Sequence, residues 1–206
     1  MTRDDPRPLA YSNGEYTPER FRRLGTVSSP HAKRVITRVL KLVHGPWFAL
    51  RMPDGVVELT TIGRRSGRPR STFVRAYQVG PQVFFVSIGG EQALWAKNIR
   101  ANPSVTLRFR RGTVVGRARD PRDDTERRLA DAAFCGRVGP FDYAENAFHR
   151  TGLPTRERIH ELHRAWLHGG TLFVVGDREN HELIGTRPAH REAVPVAVSG
   201  PGPRGG

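Results

Sequence analysis

Four arginines, two glycines and a proline crowd the ten residues Thr61-Ile62-Gly63-Arg64-Arg65-Ser66-Gly67-Arg68-Pro69-Arg70. Glycine lets the backbone turn tightly and expose amide N–H groups, and arginine adds planar, permanently charged donors. That chemistry suits an anionic, phosphate-bearing ligand. A solvated basic hairpin between two strands would have the same composition, and the segment is neither a Walker loop nor a G-x-G-x-x-G fingerprint. A second glycine pair, in Ser87-Ile88-Gly89-Gly90, lies just before a helix around Trp95. Amides presented at a helix start favour an anion; the same residues also make an ordinary strand-to-helix turn.

The other residues able to do chemistry are less organised. His160 and His163 share one helical face, with Glu157 and Glu161 nearby and His168 a turn further on. Helical pairs do occur in metal sites. However, His160-Glu161-Leu162-His163 is not H-E-x-x-H and spacing fixes no third ligand, so the face is read as polar and solvated, without a metal. The single cysteine, Cys135, excludes an intrachain disulfide and a cysteine-based zinc cluster. It falls in an apparent helix as a buried thiol. Asp123-Asp124 opens that helix as a cap that also compensates its dipole.

Positioning these groups requires a run of short strands. Val56–Thr61, Arg70–Val79 and Gln82–Ile88 carry strand signals, the last two joined at Gly80-Pro81. Val105–Arg110 and Thr113–Arg119 form a hairpin across Arg111-Gly112, with Val105, Leu107 and Phe109 alternating with polar neighbours. Thr171–Val175 is a last, apolar strand. Helices are expected at Ala32–Leu50, Glu91–Ala101, Asp123–Phe134 and Thr155–Leu167. Many antiparallel strands with inserted helices argue for an α+β barrel over a doubly wound parallel sheet.

The chain of 206 residues is long enough for one domain. Its polar, Pro/Gly/Ser-bearing ends (1–30 and 186–206) are expected to be mobile tails around a folded unit at 31–185. All of its 34 cationic side chains except Lys33, Lys41 and Lys97 are Arg, and the net charge is +14. Recognition of phosphate or carboxylate by guanidinium explains that excess, and so does a GC-rich genome. No RNP pattern, helix-turn-helix or zinc finger accompanies the charge, so no specific nucleic-acid partner is expected; a non-enzymatic basic module binding nucleic acid or an anionic membrane, with Arg108, Arg110, Arg117 and Arg119 on its strands, is the alternative reading. The first twenty residues lack an apolar stretch and no run reaches the ~18 apolar residues of a membrane span. A cytoplasmic location follows as the default. The basic, amphipathic 32–50 helix packs on the barrel or lies weakly on an anionic membrane surface.

Three motifs then occur in order: Leu59-Thr60-Thr61-Ile62-Gly63-Arg64-Arg65-Ser66-Gly67-Arg68-Pro69-Arg70, Ser87-x-Gly89-Gly90, and Trp95-x-x-Asn98-Ile99-x-Ala101-Asn102-Pro103-x-Val105. Together they resemble the deazaflavin (F420)-dependent nitroreductase and F420H2-dependent quinone reductase family of actinobacteria, over roughly residues 56–120. The resemblance implies a split β-barrel of the FMN-binding-like kind, mainly antiparallel, with peripheral helices. It implies coenzyme F420, a deazaflavin whose tail is a phosphodiester and an oligoglutamate chain, with FMN as the alternative cofactor. By the family's pattern Arg64, Arg65, Ser66, Gly67 and Arg68 hold the phosphate. Ser87, Ile88, Gly89 and Gly90 line the deazaflavin ring, and Trp95, Asn98 and Ile99 pack along the cofactor.

The implied reaction is hydride transfer to an electron-poor small molecule, with Tyr77, Ser87, Tyr143 or water supplying a proton. The chain departs from the family in having only Glu91–Leu94 between the glycine pair and Trp95, Ala96 after the tryptophan, and Arg75-Ala76 where some members carry tyrosines facing the substrate. Split barrels often dimerise and some members of this family are monomeric; the residues favour neither state.

Overall fold

The computed structural model describes residues 52–176, together with Tyr11 and Pro18. The helix expected at 32–50 and the segment 186–206 lie outside the described residues, as does nearly all of 1–30.

Six strands form a closed barrel: β1 (Val56–Ile62), β2 (Pro69–Val79), β3 (Gln82–Ser87), β4 (Ser104–Phe109), β5 (Gly112–Arg119) and β6 (Thr171–Val175). Their order around the barrel is β1-β2-β3-β6-β5-β4. Every pairing is antiparallel. A short 3-10 turn (Gly90–Gln92) and helix α1 (Leu94–Ala101) connect β3 to β4. Between β5 and β6 come α2 (Asp124–Cys135), α3 (Pro140–His149) and α4 (Arg156–Gly169). The strands and helices expected from sequence in this region are present, with ends shifted by a residue or two, except that the helix expected at Glu91–Ala101 is divided into the 3-10 turn and α1. Helix α3 lies outside the elements expected from sequence; Pro140 at a first helical position starts it. Its start is fixed by the Gly139 amide donating to Asp142 Oδ2 at 2.6 Å.

Period-2 alternation sorts the strand residues into two cores. Val57, Leu59, Val74, Ala76, Val83, Phe85, Leu107, Phe173 and Val175 fill the barrel, with Ala96 and Ile99 of α1 packed among them. The opposite phase of β3 and β6 (Phe84, Val86, Leu172, Val174) packs on Ala130, Phe134, Cys135 and Leu167 of α2 and α4. The helices therefore cover the β2-β3-β6 side. Glu126 ties α2 to that side: it accepts from Gln82 Nε2 at 2.7 Å, from Arg119 through both oxygens, and from the Arg122 amide. The Arg119 and backbone donors hold its carboxyl down to about 2.

Strand β2 changes partners along its length. Pro69–Val74 pair with β1, Ala76–Val79 pair with β3, and Arg75 pairs with both. Beyond Ser87 the chain leaves the sheet and turns into the 3-10 segment and α1. This parting of strands places the Ser87–Gly90 turn, the α1 start and the arginine-rich β1–β2 loop around the same end of the barrel. No helix among the described residues is long and apolar enough to cross a membrane.

The α4–β6 junction passes hard against β3. A Cβ on Gly170 would lie 2.4 Å from the Ser87 carbonyl oxygen and 2.6 Å from that of Trp166, both backbone atoms with no freedom to yield. Gly170→Ala should therefore cost about 2 kcal/mol or more, read as a lowered midpoint in urea or thermal unfolding.

Candidate functional site

The β1–β2 loop is a closed, self-bonded turn. Gly63 donates to the Arg68 carbonyl at 2.9 Å and accepts from the Ser66 and Gly67 amides at 3.1 and 2.8 Å. Ser66 Oγ accepts from the Arg68 amide at 3.4 Å. Gly67 sits at φ +64°, where a side chain is strained. Residues Arg64–Arg70 are exposed, and among the described residues Arg64, Arg65, Arg68 and Arg70 have no ion-pair partner. The loop amides are largely satisfied internally, so the guanidiniums are what it offers an anion.

Helix α1 meets this loop from the side. The Asn98 carboxamide accepts from the Arg64 amide at 3.2 Å and donates to Thr61 Oγ1 at 3.2 Å. At the other end of α1, Ala93 starts the helix with no side-chain cap, leaving its first amides without the usual side-chain acceptor. Trp95 packs inward, its ring centroid 6.0 Å from Phe85 and 5.7 Å from Phe173. Ser87, buried, donates to the Gly90 carbonyl at 2.8 Å, and Gly90 turns at φ +57°. Arg100 clamps the base of α1 through Glu91 and Asp120 while lying 4.9 Å over the Phe173 ring. The Arg100 pairing lowers the Glu91 carboxyl's pKa and keeps that acid from opposing an anion nearby.

A second titratable cluster lies on the helix-covered side. Asp142, Glu145 and His163 each bring a ligand atom within 4.8 Å of the others, as a metal site would. A guanidinium stands among them instead. Arg75, 4% exposed, bonds Asp142, lies 2.8 Å from Glu145 Oε2 and 3.1 Å from His163 Nε2, and reaches the Asp54 carbonyl. Arg75 can only donate, so His163 Nε2 accepts and its Nδ1–H donates to Phe134 O at 2.9 Å. That fixes a neutral imidazole, and burial with the nearby Arg75 charge pushes it down to about 4. Burial opposes the Arg75 charge, but Glu145, Tyr77 and Asp142 outweigh it and its pKa rises. Glu145 is raised to about 7 because its desolvation outweighs its share of Arg75. Burial, then Arg75, likewise lowers His149 to about 4.

The family model of an F420H(2)-dependent quinone reductase matches residues 33–154. The chain belongs to the F420H2-dependent quinone reductase family. That family is one of F420H2-dependent oxidoreductases. The family match runs through β1–β5 and α1–α3 and stops before α4 and β6. Among solved structures, an F420-H2 dependent reductase (FDR-A) is similar at 20% identity over 59% of this chain and 94% of that one, with a TM-score of 0.36. A domain-swapped dimer is similar at 18% identity over 71% and 99%, with a TM-score of 0.38. A putative pyridoxamine 5'-phosphate oxidase from Listeria innocua is similar at 12% identity over 65% and 91%, with a TM-score of 0.36. For one further match this chain spans 57% of the other's length. No curated protein matches.

In this family member the residues singled out from sequence divide into groups. Arg64, Arg65, Ser66, Gly67 and Arg68 form the exposed loop, with Asn98 bonded to its backbone. Ser87, Gly89, Gly90 and Trp95 form the turn and helix start. Ile99 is 2% exposed in the barrel core, and Ile88 faces the outer core with α2 and α4. The three candidate proton donors do not converge. Ser87 is bonded to Gly90, Tyr77 packs edge-on against Phe134 of α2 at 4.8 Å, and Tyr143 is 40% exposed on α3.

His163 corrects the solvated-face reading: it is 1% exposed, because the unanticipated α3 covers it, and Glu161 pairs with Arg150. Two organised sets, Arg75 with Asp142 and Glu145, and Arg100 with Glu91 and Asp120, fall outside the site residues singled out from sequence. The signals available were Gly139-Pro140 with Asp142 two residues on, and a lone Arg inside an apolar strand.

The Glu145 carboxyl keeps its proton to about 7 in the folded chain, against an ordinary 4.5. The folded state binds more protons over that interval, so this group's contribution falls as pH rises through it and then levels. His149 and His163 act in the opposite sense, so the comparison must be with a variant. Glu145→Gln should gain stability relative to the parent as pH is raised from 5 to 8, measured by unfolding midpoints at each pH.

Proposed function

We propose that this reductase binds coenzyme F420 at the end of the barrel framed by the Arg64–Arg68 loop and α1. There it passes hydride from F420H2 to an electron-poor acceptor such as a quinone, nitro compound or activated enone. The observation that carries this reading is the rigid loop whose exposed guanidiniums have no ion-pair partner among the described residues. A phosphodiester followed by glutamates is a string of anions, and bidentate guanidinium bonds are the strongest neutral-pH match for them.

Arg64, Arg65 and Arg68 would hold the tail, and the uncapped first turn of α1 adds partial positive charge. The bound cofactor supplies the hydride; the protein supplies position and electrostatics. The Ser87–Gly90 bond holds the turn beside the ring position, and Trp95 closes the barrel mouth behind it. Because the Ser87 hydroxyl is engaged, Tyr77 faces α2 and Tyr143 is exposed on α3, solvent is the source of the proton taken up by the reduced acceptor.

Titrating the purified protein with F420, followed by cofactor fluorescence with FMN in parallel, tests the reading. Arg64→Ala and Arg65→Ala should each weaken F420 binding by about tenfold or more, the worth of a charge-assisted contact. Failure to bind F420 at micromolar levels would overturn the assignment, and binding of FMN alone would replace the cofactor.

A further inference from the structure

We propose that Asn98 is a positioning residue for the cofactor's anionic tail: it fixes the arginine loop at a set place relative to the barrel mouth and does not itself contact the cofactor. The inference rests on the F420 reading above for its ligand, and on the loop geometry alone for its structural part.

The Asn98 side chain belongs to a helix whose other inward residues, Ala96 and Ile99, are barrel core. It is 7% exposed, and both ends of its carboxamide point at the β1–β2 connection. A backbone N–H can only donate, so the Arg64 amide fixes which end is oxygen. The nitrogen is thereby directed to Thr61 Oγ1, itself 1% exposed. The Thr61 hydroxyl passes the chain on to the Arg70 carbonyl at 3.5 Å. One side chain thus reaches the last residues of β1, the first arginine of the loop and, through Thr61, the start of β2.

Among the described residues the loop's other bonds are internal, between Gly63 and Arg68, Ser66 and Gly67 and between Ser66 and Arg68. Without Asn98 the turn would keep its shape but lose its bond to α1. Helix α1 is in turn held by Arg100 on Glu91 and Asp120 and carries Trp95 at its other end. The distance between the guanidiniums and the barrel mouth is therefore set through α1. Arginine side chains are long and mobile, so a tail held at two points gains affinity only where their anchors are fixed in advance.

This makes a distinction that a direct contact would not. A residue touching the deazaflavin ring should matter for any deazaflavin. A residue that places the arginines should matter only for one with an anionic tail. The test compares F420 with the deazaflavin chromophore lacking phosphate and glutamates, titrated into the parent, Asn98→Ala and Thr61→Val proteins.

Asn98→Ala should weaken F420 about tenfold, as loss of a bond to a half-buried amide does, and leave the tail-less chromophore unchanged. The KM for F420H2 should rise with kcat at saturation retained. Thr61→Val should give the same tail-specific loss in smaller degree and add little to Asn98→Ala. Equal weakening of both ligands, or of neither, would overturn the proposal. Hydrogen exchange of the loop amides in cofactor-free protein keeps the two readings apart. Faster exchange in 63–68 upon Asn98→Ala supports the strut even if the parent binds no deazaflavin, and unchanged exchange sinks it.

Discussion

A guanidinium sealed at the point where β2 passes from one partner strand to the next governs how the helical layer sits on this barrel. Arg75 projects from the outer face of the strand, away from the core residues Val74 and Ala76. Leaving such a charge without partners would be strongly destabilising, so whatever covers it must bring acceptors. Asp142 and Glu145 of α3, His163 of α4 and the Asp54 carbonyl do so together. The arrangement specifies more than it stabilises: α3 can dock here in only one place, with its acidic face inward and Tyr143 outward. Burial, with the Asp142 charge beside it, outweighs Glu145's share of Arg75, and Glu145 retains its proton to about 7.

The outer and inner sides of the barrel thus handle charge in opposite ways. On the helix-covered side, three cations drawn out of solvent meet acids: Arg75 with α3, Arg119 with Glu126, Arg150 with Glu161. Around the barrel mouth, Arg100 takes up Glu91 and Asp120, while the β1–β2 loop keeps its arginines exposed. A high overall positive charge says little about function, but a local cluster of cations on a rigid turn does. Four arginines exposed on one short, self-bonded turn give an external anion a concentrated set of donors.

Much of this was legible from sequence because it is local. Alternation in Val105–Phe109, the Gly80-Pro81 turn and the apolar run Thr171–Val175 each mark a strand within a few residues, and the arginine loop is contiguous. What escaped was non-local or masked by competing signals. Gly139-Pro140 breaks a helix in one context and begins one in another, and only the Asp142 side chain returning to the Gly139 amide decides between them. His163 looked solvated because its cover, α3, had not been recognised. Asn98 was legible as part of a motif, yet its partners, an amide at 64 and a hydroxyl at 61, are set by the barrel's closure and not by spacing along the chain.

The closing strand carries a kinetic consequence. β6 pairs Val83 with Val175 and Ala118 with the same Val175, so the barrel joins only when the last described strand arrives. Until then β3 and β5 each have an unpaired edge, and the intervening helices have only part of a surface to dock on. Contacts so distant along the chain form slowly, and open strand edges invite pairing with other molecules. During synthesis the nascent barrel therefore stands open for as long as it takes the ribosome to make α2, α3, α4 and β6. The waiting edge β5 carries Arg117 and Arg119, which give it a like-charge repulsion against its own copies.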